Sequence, residues 1–224
     1  MNPVESAPLA EAEGLTVAGR TGGVRVEGLA FRLLTREAMV LVGPVEAGSA
    51  VLRALLGIEP PEAGTARVLG ERPGTLGRAA AASVLSRVGW HPRSGSLLAN
   101  LTLRENLLLP LLFHRRPDPA EAERLTSAAL ARFGLAEAPP LRPEEVALPV
   151  RRRVALARAI LLDPELLVLD DPLDDLEEDV AREVLGALLA WSREKPRALL
   201  LASHQPGLAA SLRAAAIPLP VTRA

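Results

Sequence analysis

The chain has 224 residues, 49% of them hydrophobic, with 26 basic against 27 acidic side chains and a formal charge of −1. That length buries one sizeable core, and the even charge balance argues against nucleic acid or an anionic membrane surface as a partner. Cysteine is absent, which excludes disulfides, thiolate nucleophiles and Cys-based zinc sites.

The N-terminal stretch MNPVESAPLAEAEG has neither a basic region nor an apolar run, so it is not read as a signal peptide, and residues 1–12 are expected to be disordered. Residues 14–42 alternate apolar and polar positions (Leu15, Val17; Val24, Val26; Leu29, Phe31, Leu33) and end in the run Met39-Val40-Leu41-Val42. This pattern predicts several strands, the last of them central and parallel.

Residues 43–51, GPVEAGSAV, follow with the glycine spacing of a phosphate-binding loop. Such a loop wraps phosphates in backbone N–H groups, neutralises them with a Lys and holds Mg²⁺ with a Ser/Thr hydroxyl. Gly43 and Gly48 keep the frame, but Ser49 stands at the Lys position and Ala50 at the hydroxyl position, while Glu46 adds negative charge. Lys195 is the single lysine of the chain, so no neighbour replaces the missing one. One charge pair at ~4 Å is worth about 4 kcal/mol at an effective dielectric of 20, or roughly a thousandfold in affinity. The helix dipole returns only ~1 kcal/mol.

A helix through Val51, Leu52, Leu55 and Leu56, stopped by Gly57 and Pro60-Pro61, comes next. Residues 64–70 read as a strand, and 83–90 as a helix end leading into Val88-Gly89-Trp90. From Arg93 to about Pro149 the pattern is helical with Pro-rich joints. It includes an amphipathic helix over 119–134, with Pro119 near its start and Gly134 after its end. Helix 151–162, strand Leu166–Leu169, helix 177–193 and strand Ala198–Ala202 return to α/β order, followed by His204. The longest apolar stretch, Leu107 to Phe113, is broken by Pro110 and is far short of the ~20 residues of a membrane span.

In this order the pieces resemble the nucleotide-binding subunit of ABC transporters, over nearly the whole chain. The most specific stretch is RRRVALARAILLDPELLVLDDP, residues 151–172. The resemblance implies an α/β fold: a RecA-like P-loop NTPase core (13–92 and 151–224) with an antiparallel β subdomain and an inserted helical subdomain (93–150). It also implies that two subunits clamp ATP between the P-loop of one and the signature of the other.

Position by position, the resemblance puts the metal-binding aspartate at Asp170, and Asp171 where the family has a catalytic glutamate. A displacement of ~1 Å there costs about a hundredfold in rate. The γ-phosphate histidine aligns with His204, and the glutamine that contacts Mg²⁺ and the membrane partner aligns with Arg93. Asp174-Asp175-Leu176-Glu177 occupy the dimer-contact loop. The signature LSGGQ aligns with Val146, Ala147, Leu148, Pro149 and Val150, an apolar stretch in which Pro149 removes an N–H donor. No aromatic lies between Gly14 and Gly23 to stack on adenine. His91 is read as an ordinary loop histidine.

The expected cofactor binding is therefore weak ATP and Mg²⁺ or none. The expected partners are an integral membrane permease and a second ATPase subunit, in a homodimer or heterodimer, at the cytoplasmic face of the membrane. Within the family the resemblance is to ATPases of Mla-type and MCE-associated lipid transporters, then to lipoprotein-releasing ones. Three functions fit: a structural or regulatory subunit docked on a permease; a slow ATPase using Asp171, His204 and Arg93; and a soluble ABC-like regulator.

Overall fold

The computed structural model describes residues 7–21, 23–114 and 117–222. In chain order the elements are β1 (Ala10–Ala18), β2 (Arg25–Leu33), β3 (Ala38–Val42), α1 (Val45–Leu55), β4 (Ala63–Val68), α2 (Arg78–Leu85), β5 (Val88–His91), α3 (Leu103–His114), α4 (Pro119–Arg132), α5 (Leu148–Ile160), β6 (Leu166–Asp170), α6 (Glu178–Glu194), β7 (Ala198–Ser203), α7 (Leu208–Leu212), β8 (Ala215–Pro218) and β9 (Val221–Thr222).

Five strands form a parallel sheet in the order β5-β6-β7-β3-β8, and four form a separate sheet, β4-β1-β2-β9, whose pairings are antiparallel. The parallel strands are apolar on both faces, because successive side chains of a strand point to opposite sides. Leu166, Val168 and Leu200 pack with α1 and the antiparallel sheet. Leu167, Leu169, Leu199 and Leu201 pack with α3, α5, α6 and α7. The expected α/β core with an antiparallel β subdomain is what the chain forms.

Four expectations are corrected. Strand β1 begins at Ala10, inside the stretch expected to be disordered, because Ala10 and Ala12 are buried and paired with Leu33 and Phe31; residues 1–6 of that stretch lie outside the described residues. Helix α1 starts at Val45 rather than after a loop, and α5 starts at Leu148, so the signature positions run into its first turn. His91 is no loop residue but the buried end of β5. The short strands β8 and β9 were not anticipated.

Two details position the site. Gly57 ends α1 with φ +69, where a Cβ would lie 2.3 Å from the Gly74 backbone nitrogen, so only glycine fits the turn. Pro110 sits inside α3, a helix anchored near its start by the buried Asn106 side chain. That amide accepts from Leu98 N at 2.7 Å and donates to the carbonyls of Leu98 and Thr102 at 3.0 Å each. Among the described residues no helix is long and apolar enough to cross a membrane.

Candidate functional site

The glycine frame of residues 43–48 is helical from Val45 onward. Pro44 is the cap, α1 begins at Val45, and the Gly48 N–H donates to the Pro44 carbonyl at 3.1 Å. An N–H committed to the helical ladder does not cradle a phosphate. Neither Gly43 nor Gly48 has positive φ. Close packing accounts for both glycines: a Cβ on Gly48 would lie 2.7 Å from the Ala202 Cβ, and one on Gly43 would lie 3.0 Å from Leu219.

The side chains around this turn are paired with one another. Ser49 donates its hydroxyl to Asp170 Oδ2 at 2.7 Å, and both residues are buried. Burial raises the Asp170 pKa, the Ser49 hydrogen bond opposes that shift, and the neighbouring charge of Asp171 reinforces it. Ala50 is buried and offers no oxygen. Glu46 turns to the β1–β2 connection, accepting from the Thr21 N–H at 2.7 Å and from the Thr21 hydroxyl. These bonds lower the pKa of Glu46. The anion so held lies in the first turn of α1 and complements the positive end of the helix dipole.

Asp171 follows Asp170 with φ +46 and is engaged through both carboxylate oxygens. Ser203 donates to Oδ1 at 3.1 Å, and His204 Nδ1 lies 2.6 Å from Oδ2. Arg93 donates through Nε and Nη2 to Asp174 Oδ2, at 3.0 and 2.6 Å. Thus Ser49, Arg93, Asp170, Asp171 and His204, named separately from sequence, are brought together along the C-terminal edge of the parallel sheet, where the strands end, and are hydrogen-bonded there.

The signature positions sit at the start of α5. Ala147 is the cap without a side-chain bond, the Val150 and Arg151 N–H groups both turn to the Ala147 carbonyl, and Pro149 has none. Val146, Leu148 and Val150 contribute apolar surface. Sequence reasoning missed Thr21 and Ser203. Ser203 carried a signal in standing next to His204, whereas Thr21 carried none.

Asp171, Asp174 and His204 present ligand atoms within 4.8 Å of one another, with Asp171 Oδ2 already on His204 Nδ1 and Asp174 Oδ2 on Arg93. Position 50 carries no hydroxyl and the Ser49 hydroxyl is on Asp170, so neither supplies the side-chain ligand that a magnesium–nucleotide takes from a phosphate-binding loop.

His91 lies behind this edge, fully buried, with both ring nitrogens unpartnered. Burial, and then the charges of Arg152 and Arg158, lower its pKa to about 3. On the far side of β5, Trp90, Leu109, Pro110, Phe113 and Leu162 line an open apolar groove of about 550 Å³. Phe113 is 74% exposed, and Leu112 and Leu109 are exposed beside it.

A parallel sheet with a glycine turn feeding α1, two aspartates ending β6 and a histidine after β7 defines an ATP-binding-cassette fold. Comparison with known proteins gives the same result: the sequence profile described as ABC transporter matches residues 26–174, and the chain belongs to that family. It is similar to the lipoprotein-releasing system ATP-binding protein LolD of Chromohalobacter salexigens, at 32% identity over 88% of this chain and 85% of that one. Similarity to LolD of Gluconobacter oxydans is 34% over 89% and 88%. The Nod factor export ATP-binding protein I of Rhizobium sp. is 34% identical over 80% of this chain and 57% of that protein. Among solved structures, the dimeric ABC transporter cassette MJ0796 superposes with a TM-score of 0.83, covering 94% of each chain at 20% identity, which speaks to the fold alone.

Proposed function

We propose that this chain is an ABC-type subunit that docks on an integral membrane permease as a structural or regulatory component, binding ATP and Mg²⁺ weakly or not at all. The observation that carries this reading is the wound turn at α1, with the Gly48 N–H on the Pro44 carbonyl and the Ser49 hydroxyl on Asp170. The groove beside Trp90 and Phe113 supports the docking half of the proposal. It is largely apolar and open, and it is built from α3, β5 and the end of α5, where an apolar helix of a permease can lie. Relatives named for lipoprotein release make a permease that handles lipids or lipoproteins the first partner to test. The subunit would then sit at the inner face of the membrane through that partner, in a homodimer or a heterodimer with another ATPase.

Co-purification with the permease encoded nearest to this gene tests the proposal. Retention by the permease, with no Mg²⁺-dependent turnover in the complex, is the expected result. Failure to bind any such permease would contradict it.

One observation favours a second reading, a slow ATPase: His204 and Asp171 keep a close contact of 2.6 Å, as a base and its orienting partner would. On that reading the complex hydrolyses ATP, and Asp171→Ala abolishes the turnover.

A further inference from the structure

A second polar feature lies between the segment 93–99 and the start of α5. It is a cavity of about 290 Å³, lined by Arg93, Arg151 and Arg152 together with Glu144 and apolar side chains such as Leu97 and Leu148. Three guanidinium groups face one exposed carboxylate there. Arg152 is only 6% exposed and makes no ion pair among the described residues. One of its terminal nitrogens donates to the Arg93 carbonyl, and its Nε has no partner. Arg151 likewise makes no ion pair among the described residues, and its Nε is buried and unpartnered. Arg158, two turns along α5, donates to the Gly95 and Ser96 carbonyls, at 2.9 Å each. The segment 93–96 is therefore fastened to α5 by arginines whose partners are carbonyls rather than carboxylates.

A buried cation without a counter-charge is costly. Burial lowers the pKa of Arg152, and Asp174, Asp175 and Asp171 offset this only in part. Asp174 is already held by Arg93. The positive end of the α5 dipole adds to the uncompensated field. Glu144 is the single carboxylate among the lining residues, against three guanidinium groups, and guanidinium forks match the geometry of an oxyanion better than that of a halide. The cavity volume lies at the low end of the ~300–1,000 Å³ typical of ligand pockets, which suits a phosphate group rather than a large ligand.

We propose that this cavity binds a small phosphate-class oxyanion, held by the Arg151 and Arg152 side chains and closing segment 93–99 onto α5. The source is free phosphate, a small phosphomonoester or a lipid headgroup. Segment 93–99 runs from the end of β5 toward α3, so occupancy would stiffen that connection. The inference stands independently of the permease role.

Calorimetric titration of the full chain with inorganic phosphate at constant ionic strength, beside co-sedimentation with phosphatidylglycerol vesicles, tests the proposal. Saturable binding in at least one arm is expected, weakened about tenfold (~1.4 kcal/mol) by Arg151→Gln and left unchanged by Arg78→Gln on the exposed face of α2. Phosphate binding assigns the site to a soluble ligand; vesicle binding alone assigns it to a headgroup. Arg151 is half-buried and unpaired, so that variant keeps the test valid even where Arg152→Gln disturbs folding. No saturable binding in either arm, or binding unchanged by Arg151→Gln, would overturn the proposal.

Discussion

The sheet edge at α1 and the groove at α3 treat the groups a partner would meet in opposite ways. At the edge, polar groups that would meet a nucleotide are satisfied from within: Gly48 N–H by Pro44, Ser49 by Asp170, Asp171 by Ser203 and His204, and Arg93 by Asp174. At the groove, large apolar side chains are left in water, with Phe113 74% exposed and Leu109 41%. A hydrogen bond made internally must be broken before a ligand can use the same atoms. An uncovered apolar patch gains free energy from any apolar partner that covers it. The two regions therefore differ in what a ligand must displace: internal hydrogen bonds at the first, water alone at the second.

The sharpest way to break this contrast is Phe113→Asp. Loss of the buried ring and the cost of a charge in the groove should weaken permease capture by ~3 kcal/mol or more, about a hundredfold. Thermal stability should not change, because the ring is exposed in the free chain. Unchanged capture would remove the groove from the account.

Next comes His91, on the strand that joins the two regions. Its pKa, lowered to about 3, means that the folded chain holds it neutral while the unfolded chain protonates it near pH 6.5. The associated stability is complete above pH 6.5 and is lost as pH falls toward 3. Denaturant titrations at pH 7 and pH 5 should differ by ~2 kcal/mol from this residue alone. His91→Leu should reduce the difference by that amount, and an acid limb unchanged by the variant would show that His91 is hydrated.

A smaller effect is expected from Ser49→Ala, which removes one hydrogen bond from the buried Asp170 carboxylate. A loss of about 1–2 kcal/mol in unfolding free energy is expected, and no loss would mean that the edge is not held together as described. Thr21→Val, which frees the half-exposed Glu46 from the hydroxyl and leaves the Thr21 N–H bond in place, should cost less than Ser49→Ala in the same measurement.

The periodic parts of the chain were legible in its sequence. Leu166–Leu169 and Ala198–Ala202 declared strands buried on both faces, and Leu52 and Leu55 gave α1 its inner stripe. The conformation of residues 44–48 was not legible, because glycine spacing alone suggested a loop. The deciding signal was Val45-Glu46-Ala47. None of these residues favours the positive φ that a phosphate nest uses, and Glu46 and Ala47 favour helix. The pairing of Asp171 with Ser203 joins residues 32 apart and depends on β6 and β7 being neighbours, so no local pattern announces it. His91 was misread because a single polar residue at the end of a four-residue strand leaves too little periodicity to show which way it points.

Titration of the purified chain with a fluorescent ATP analogue and Mg²⁺, beside the Ser49→Lys/Ala50→Ser double variant, tests the closed nucleotide edge most directly. The account predicts no saturable binding by the wild-type chain at micromolar concentrations. It predicts measurably tighter binding by the double variant, with turnover still at background, because Glu46 and the α5 start at Leu148-Pro149 are unchanged. Micromolar, Mg²⁺-dependent binding by the wild-type chain would contradict it.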